Sequence, residues 1–207
     1  MLSYENLRLN GIFSSVTISS ITIDECYNDH AHLNIEGAIS PVAKEKYLQQ
    51  SLEDETLTLT YMEETYARTI FSGVILGTII RHSGGSYKIT IKAISHTYLL
   101  DIAKESRSYQ DVSMSYAEVV NAELSGRYAV HIDCYDEWNM PVKEFLLKYQ
   151  ETCWEFMKRL ASHHLLGLLP DMARNKPAFY IGMPEDREVR HIAETPDQIL
   201  RQPHSIP

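Results

Sequence analysis

Short segments in which apolar and polar residues alternate dominate the first hundred residues, and this pattern constrains the fold more than any other feature. LTLTYM (57–62) and SYKITIKAIS (86–95) both alternate with the period of two that marks a half-buried strand. The adjacent glycines Gly84 and Gly85 separate the second segment from TIFSGVILGTII (69–80), and such a pair is typical of a hairpin turn. The pattern therefore predicts antiparallel strands.

Two more strand-like segments, VTIS (16–19) and HLNIEGAI (32–39), precede these, and one helix interrupts the series. Ser40 is a suitable N-cap, Pro41 suits the first helical position, and the helical pattern continues to about residue 50. Several short strands without a strand–helix–strand rhythm indicate a small antiparallel β-barrel. We expect this barrel to occupy residues 1–100, with the helix 41–50 inserted in it.

The pattern changes after residue 100 to a mixture of helices and strands, so the overall class is mainly β with a few helices (α+β). Ser115 and Glu118 have capping-box spacing and open a helix that runs to about Leu124. Strand patterns follow at 127–133 (RYAVHID), at 142–150 (VKEFLLKYQ), where Phe145, Leu147 and Tyr149 share a face, and in a pair at 166–170 and 178–182. The segment 183–207 is polar and proline-containing, which predicts a linker-like tail.

Composition excludes several classes of protein. The net charge of −9 disfavours a general nucleic-acid binder and an anionic membrane surface, since both need concentrated Lys and Arg. Three scattered cysteines without a C-x-x-C pair do not form a disulfide scaffold, and they fit a reducing cytoplasm. The N-terminus lacks the apolar segment of a signal peptide, and no apolar run approaches the ~20 residues that cross a bilayer.

The segment ETCWEFMKRLASHHLL (151–166) contains the most reactive-looking residues of the chain, yet its spacing is that of an amphipathic helix. Thr152 and Glu155 form a capping box, and Gly167 is a plausible stop signal. Large apolar residues recur at steps of three and four, which predicts one buried stripe formed by Phe156, Met157, Leu160, Ala161 and Leu165. His164 is expected on the apolar side of this helix and His163 on the solvent side.

Potential metal and catalytic groups do not converge in the sequence pattern. His163 and His164 are neighbours and diverge by about 100° around a helix, and Cys153 lies roughly 15 Å further along the axis. His30 and His32 are a better geometric candidate, because residues two apart in a strand share a face, but no third ligand is identifiable.

Nucleophile and phosphate motifs are equally weak. His131 and Cys134 are three apart and therefore point to opposite faces of a strand. The HSGGS segment (82–86) lacks the lysine and the helix of a phosphate-binding loop, which favours a hairpin turn. The sequence thus predicts no catalytic residue, no cofactor and no metal site.

The chain resembles the phage late control protein D and VgrG family, the baseplate hub proteins of contractile tails and related injection systems. The most specific segment is KYQETCWEFMKRLA (148–161), which matches the family's form of a strand ending in Y-x-E-S/T followed by an aromatic-rich helix with R-L-A. HAHLNIEGAI, TIFSGVILG and YKITIKAISHTYLLDIAKESRSYQD carry further resemblance, so that it covers roughly residues 8–182.

This resemblance implies a structural role and no enzymatic activity. Members of the family have two related β-barrels, and three copies form a ring that joins the tail tube to the trimeric spike. The implied partners are further copies of the chain, a tail tube protein and a spike protein, without membrane or sequence-specific nucleic acid. The implied location is the bacterial cytoplasm before assembly and the virion tail or injection particle afterwards.

One departure concerns length, because members of the family run well past 207 residues. Residues 101–182 would then hold only the beginning of a second barrel. Two alternatives remain open from the residues alone. One is a metal-dependent cell-wall hydrolase that uses His30 and His32, and the other is a barrel that binds a small ligand or an oligosaccharide.

Overall fold

A six-stranded antiparallel sheet is the largest element of the computed structural model, which describes residues 6–49, 55–62, 66–124 and 136–182. The sheet curls into a half-barrel with the strand order β1-β4-β5-β6-β3-β2. Its strands are β1 (Leu7–Leu9), β2 (Thr17–Asp24), β3 (His32–Ile39), β4 (Thr56–Met62), β5 (Ala67–Ser83) and β6 (Ser86–Ser95). The expected mainly β class, with an antiparallel barrel-like sheet first, is confirmed.

The hairpin between β5 and β6 has the two-residue turn that the adjacent glycines predict. Ser83 pairs with Ser86, and both Gly84 and Gly85 have positive φ (57° and 79°), a region that glycine enters without steric cost. Helix α1 (Pro41–Gln49) also begins as predicted, with the Ser40 Oγ accepting a hydrogen bond from the Ala43 backbone N–H at 3.2 Å.

The concave side of the half-barrel holds the first hydrophobic core. The alternating residues that the sequence places inward are buried, as the exposed fractions of 0%, 1% and 5% for Leu57, Leu59 and Tyr61 show. Phe13, from a 3-10 turn between β1 and β2, and Tyr47 of α1 pack in the same core with ring centroids 5.2 Å apart.

A second hydrophobic core lies in the later part of the chain. It is enclosed by β7 (Glu105–Tyr109), α2 (Tyr116–Leu124), β8 (Leu146–Glu151), α3 (Cys153–Ser162), β9 (Leu168–Pro170) and β10 (Phe179–Ile181). Strands β7 and β8 form one antiparallel pair, and β9 and β10 form another. The β9–β10 pair is the one predicted at 166–170 and 178–182. The strand pattern at 127–133 and the tail 183–207 lie outside the described residues.

Helix α3 confirms the predicted start and corrects the predicted end. Thr152 Oγ1 accepts from the Glu155 N–H, and the Glu155 carboxylate accepts from the Thr152 N–H, which is a complete capping box. The helix ends at Ser162, five positions before the predicted stop at Gly167. The prediction that Leu165 belongs to the buried stripe was wrong: its φ is +57° and its side chain is 96% exposed, because the helix has already ended.

Strand β8 has an unusual distribution of polar and apolar residues between its two faces. Phe145, Leu147 and Tyr149 share one face, as predicted, but that face is exposed. The opposite face, which points into the second core, carries Leu146 and the fully buried Lys148. This segment begins as a strand at Leu146, four positions later than the sequence pattern suggests.

Lys148 can be buried because charged partners surround its ammonium group. Its Nζ donates to Glu123 Oε1 of α2, and Glu105 Oε2 of β7 lies 3.6 Å away. The hydroxyl of Tyr109 donates to the other oxygen of Glu123 at 2.6 Å. Burial and the neighbouring Glu123 carboxylate raise the pKa of the Tyr109 phenol, so that it remains a donor. These groups connect α2, β7 and β8.

We expect Glu123→Ala to lower the free energy of unfolding by roughly 3–5 kcal/mol, since it removes the closest counter-charge of the buried Lys148 and leaves only the more exposed Glu105. Equilibrium denaturation in urea measures this change. Replacing all three buried groups, as in Glu123→Leu with Lys148→Met and Tyr109→Phe, should recover most of the loss, because no buried polar group is then left without its partner. A loss from Glu123→Ala no larger than that from Glu36→Ala, an exposed glutamate of β3, would show that the pair is unimportant.

Candidate functional site

A connected group of hydrogen-bonded polar side chains lies at one end of the half-barrel, where the two cores meet. Because β3 and β6 are antiparallel with His32 opposite Ile94, residues just before β3 and just after β6 reach the same end of the sheet. His30 therefore lies beside Thr97, which belongs to a 3-10 turn spanning His96–Leu100. The N-terminus of α3 packs against this end, and we call the contact region the joint.

A chain of hydrogen bonds runs through the joint from the sheet to Asp101. The Ala31 N–H donates to Ser95 Oγ at 3.1 Å, and Ser95 Oγ lies 2.7 Å from Thr97 Oγ1. Thr97 Oγ1 is 2.9 Å from His30 Nδ1, and His30 Nε2 is 3.4 Å from Asp101 Oδ2. The neutral imidazole with its proton on Nε2 satisfies every link, since Nδ1 then accepts from Thr97 and Nε2 donates to the carboxylate.

Asp101 extends this chain into α3. Its Oδ1 accepts a hydrogen bond from the hydroxyl of Thr152, the N-cap of the helix. The same hydroxyl oxygen accepts from the Glu155 N–H at 3.0 Å. One carboxylate therefore links the end of the sheet to the first turn of a helix in the second core, and charge-assisted hydrogen bonds of this kind are the stronger ones.

Aromatic rings pack against the polar chain at His30. The imidazole of His30 lies 4.8 Å from the Trp154 ring, which is 1% exposed. Trp154 in turn makes an edge-to-face contact with Phe179 of β10 at 5.4 Å. Trp154 is the second residue of α3 counted from Thr152, so the capping box that starts the helix also places its indole against the joint.

Hydrogen bonds at two further positions connect the two cores. The Asn28 N–H donates to the Leu168 carbonyl at 2.8 Å, and Asn28 Oδ1 accepts from the Leu168 N–H at 3.0 Å. Asn28 has a φ of +63°, a conformation that Asn tolerates better than most residues. The Ser72 N–H donates to the Met172 carbonyl at 2.6 Å, and the Met172 side chain packs on the first core.

Burial sets the electrostatics of the two histidines near the joint. It lowers the pKa of the His30 imidazole below its ordinary value, although the hydrogen bond and charge of Asp101 oppose the change. Burial also lowers the pKa of His96, whose Nε2 lies 3.4 Å from Ser72 Oγ. Both rings are therefore neutral near pH 7, which is the protonation state that the hydrogen-bond chain requires.

The structure does not bring the predicted metal candidates together. His30 is buried and lies before the start of β3, whereas His32 is the first residue of that strand and is exposed, so the two do not share a face. His163 is exposed and His164 half-buried, as expected, and both rings pack around Tyr116. Within the described ranges no group of three His, Cys, Asp or Glu side chains could hold a metal ion. His131 and Cys134 lie outside those ranges.

Sequence reasoning located Thr152 but missed its partners. Asp101 and Thr97 follow a strand and carry no periodic signal, and their roles depend on residues distant in the sequence. His30 was noticed for its spacing to His32, which is not what determines its environment. The side chains of the joint position two elements against each other. Thr97, His30 and Asp101 follow one another as hydroxyl, imidazole and carboxylate, but the Thr97 side chain is 1% exposed, so its hydroxyl does not face solvent. Of the helices in the described part of the chain, none is both long and apolar enough to span a lipid bilayer.

We expect Thr152→Ala to destabilise the protein by roughly 2 kcal/mol, because it removes both a helix cap and a hydrogen bond to a charged group. Ser115→Ala is the matched control. Ser115 caps α2 through the same kind of box, but it makes no hydrogen bond to the half-barrel in the described residues. That control should cost about 1 kcal/mol in urea denaturation. Equal losses in the two variants would argue against a contribution from Asp101.

We expect the free energy of unfolding to decrease as the pH falls from about 7 toward 5. The pKa values of His30 and His96 are lowered in the folded protein, so below about 6.5 the unfolded chain binds protons that the native state does not. This stability is fully present above the unfolded pKa. Urea denaturation across this range should show a flatter profile for His30→Asn than for the wild type, and an unchanged profile for the exposed-site control His32→Asn. Identical slopes in all three proteins would contradict the assignment.

Comparison with known proteins gives a likeness in structure only. Scans against protein-family models and against curated protein sequences find no match. Among solved structures, the E. coli c3393 protein, a component of the type VI secretion system described as similar to the T4 bacteriophage tail proteins gp27 and gp5, matches with a TM-score of 0.55 and 18% identity. The match covers 84% of this chain and 48% of that one.

Two tail proteins match in the same way. The 43 kDa tail protein of prophage MuSo2 from Shewanella oneidensis has a TM-score of 0.59 and 11% identity over 86% of this chain and 53% of its own. The tail protein from Neisseria meningitidis MC58 has a TM-score of 0.52 and 12% identity over 86% and 50%. The chain spans about half the length of these structures, and over that length it has the fold of tail and type VI secretion proteins.

Proposed function

We propose that this protein is a structural component of the baseplate hub of a contractile phage tail or a related injection system. In this role it forms a trimeric ring that joins the tail tube to the spike. The observation that carries the proposal is the likeness to tail and type VI secretion proteins, which extends over 84–86% of the chain and includes both cores. The resemblance of KYQETCWEFMKRLA points in the same direction.

The joint supports this proposal, because a ring wall needs parts that keep a fixed orientation. Asp101, Asn28 and Ser72 each make a hydrogen bond between the two cores, and these bonds lie at separate positions. A chain that transmits force between a tube and a spike would need such rigidity. We propose that residues 1–100 form the first barrel domain, 101–182 the helical region with the beginning of a second barrel, and 183–207 a linker-like tail.

The proposed partners are two further copies of the chain, a tail tube protein and a trimeric spike protein. The protein would be made in the bacterial cytoplasm and end in the virion tail or injection particle. Its net charge of −9 would let DNA or acidic effectors pass without adhering, since like charges repel at short range. The other half of a full-length hub would supply the remaining second-barrel strands.

The proposal includes no enzymatic activity. A metal-dependent cell-wall hydrolase has less support, because the His30 ring is occupied by Thr97 and Asp101 and does not face His32. For a barrel that binds a small ligand or an oligosaccharide, we find no supporting contact in the described residues. Purified protein that holds zinc stoichiometrically, and loses it on His30→Asn with His32→Asn, would revive the first alternative.

We expect the 207-residue chain alone to be a monomer or a weak, concentration-dependent oligomer, since half of the ring contacts would be missing and stable assemblies need larger interfaces. A hub of the full length seen in the similar structures should form a trimer. Analytical ultracentrifugation of both proteins over a wide concentration range is the measurement. A full-length form that stays monomeric and binds neither tube nor spike protein would refute the hub assignment.

A further inference from the structure

The β5–β6 hairpin is the basic part of an acidic chain. Residues 66–100, which contain both strands, hold four Lys and Arg residues and none of the 28 Asp and Glu residues. The whole chain nevertheless has a net charge of −9, so its negative charge is confined to the segments before and after the hairpin. Such a separation of charge lets one part of a surface attract groups that the rest repels.

Two basic side chains lie side by side near the turn of this hairpin. Arg81 of β5 is directly opposite Lys88 of β6, and both are exposed. They lie on the convex side of the half-barrel, since the next residue, Ile89, is buried in the first core. Like charges in directly opposed positions destabilise a sheet, and neither residue forms an ion pair with a carboxylate of the described residues. We call this pair the basic tip.

The chain leaves the second core at the opposite end of the half-barrel from the basic tip. The Gly182 N–H donates to the Gly167 carbonyl, and the Gly167 backbone lies close to Asn28, at the joint end of the sheet. Lys88 is seven positions before Ser95 of the joint, or about 23 Å along β6. Strands that complete a second barrel after Gly182 would therefore extend the molecule at the joint end, which favours a partner from outside the chain at the basic tip.

An acidic cluster lies on the second core, around the start of α2. It consists of the exposed residues Asp111, Glu118 and Glu144. Hydrogen bonds from Ser115 lower the pKa of the Glu118 carboxylate, although the nearby charge of Asp111 opposes this shift. Burial and the neighbouring Glu144 charge raise the pKa of the Tyr116 phenol, which places Glu144 at the same end of the helix. The cluster is therefore a compact negative patch.

The basic tip and the acidic cluster are complementary surfaces at different places on one chain. Among the described residues no ion pair joins them within the chain. A ring of identical subunits needs a heterologous contact, in which one patch of each copy meets a different patch of the next copy. These two patches meet that requirement, because they are exposed and opposite in sign. Since the copies repel through their overall charge, a local attraction also fixes which surfaces approach each other.

We propose that the basic tip of one copy of this chain docks on the acidic cluster of a second copy. In this contact, Arg81 and Lys88 donate charge-assisted hydrogen bonds to the carboxylates of the cluster. The inference rests on the proposed function for the existence of the ring, and it goes beyond that function by naming both sides of the contact between neighbouring copies.

Crosslinking of a labelled mixture tests the contact directly. The 207-residue chain is prepared with natural and with heavy nitrogen, the two forms are mixed, and a carbodiimide joins lysine amines to carboxylates in contact with them. We expect crosslinks between unlike isotopes from Lys88 to Glu118 or Glu144, identified by mass spectrometry, and none from the exposed control Lys176. No mixed-isotope crosslink at Lys88, or crosslinks only to other carboxylates, would overturn the proposal. In purified particles, a Lys88 crosslink to a different protein in place of a second copy would overturn it as well.

Charge reversal at the basic tip tests the same contact in solution. Arg81→Glu with Lys88→Glu should weaken self-association of the chain at least about tenfold in analytical ultracentrifugation, since like charges then face each other. The matched control is Arg68→Glu with Lys176→Glu, which changes the net charge equally at exposed residues elsewhere and should associate as the wild type does. Equal weakening by both pairs would show that only the net charge matters, and would contradict a contact at the tip.

Neutralising the acidic cluster tests the other side of the contact. Glu118→Gln with Glu144→Gln should also weaken self-association about tenfold, and glutamine at position 118 retains the capping box of α2. Asp24→Asn with Glu36→Gln, at exposed positions of the half-barrel, is the control and should have no effect. Raising the salt to about 1 M, where the screening length is about 3 Å, should weaken association of the wild type. Association that is unchanged by salt and by the Glu118 and Glu144 substitutions would refute the contact.

The outcomes separate this inference from the proposed function. A full-length hub that binds neither tube nor spike protein would refute the hub assignment and leave a self-association that depends on the basic tip in place. A full-length trimer that survives reversal of the basic tip would refute only the docking surface. If a reversed variant loses the urea midpoint of the wild type, the crosslink in the wild-type chain decides. A wild-type chain that stays monomeric at every concentration and gives no mixed crosslink would refute the contact.

Discussion

The carboxylate of Asp101 is the contact on which the arrangement of this protein depends. It accepts hydrogen bonds from His30, at the end of the half-barrel, and from Thr152, at the start of α3. The same hydroxyl of Thr152 also caps the helix, so one side chain both starts α3 and attaches it to the end of the half-barrel. Trp154 then packs between His30 and Phe179, so that the imidazole of His30 is buried.

Buried polar groups also hold neighbouring elements together in the second core. Glu123 contacts both Lys148 and Tyr109 and so fixes the register of β8 against β7. Such a pair costs desolvation energy and adds little net stability, but a displaced register would leave its charges without partners. The pair therefore specifies which face of β8 is turned inward, and as a consequence it presents Phe145, Leu147 and Tyr149 to solvent.

The two buried polar groups hold neighbouring elements in one orientation, which is what the proposed hub function would require of them. No acid–base pair in the joint has an open position for a substrate, since the His30 nitrogens and the Asp101 oxygens are occupied by each other, Thr97 and Thr152.

The sequence by itself determined the local elements of this protein. Alternation marked the central strands, Gly84 and Gly85 marked the hairpin, and capping boxes located the starts of α2 and α3, because each signal depends on residues within a few positions of one another. Most of the fold class followed from these signals.

Only the tertiary structure decided which side chains are buried where the sequence pattern is compatible with either burial or exposure. Period-two alternation in β8 shows that its faces differ, but the inward face depends on Glu123 and Tyr109, which lie far away in the sequence. His30 is likewise buried because Asp101 and Trp154 reach it from elsewhere. Leu165 is exposed because the chain turns away after Ser162. In each case the environment is made by distant residues, and these are contacts that no local pattern encodes.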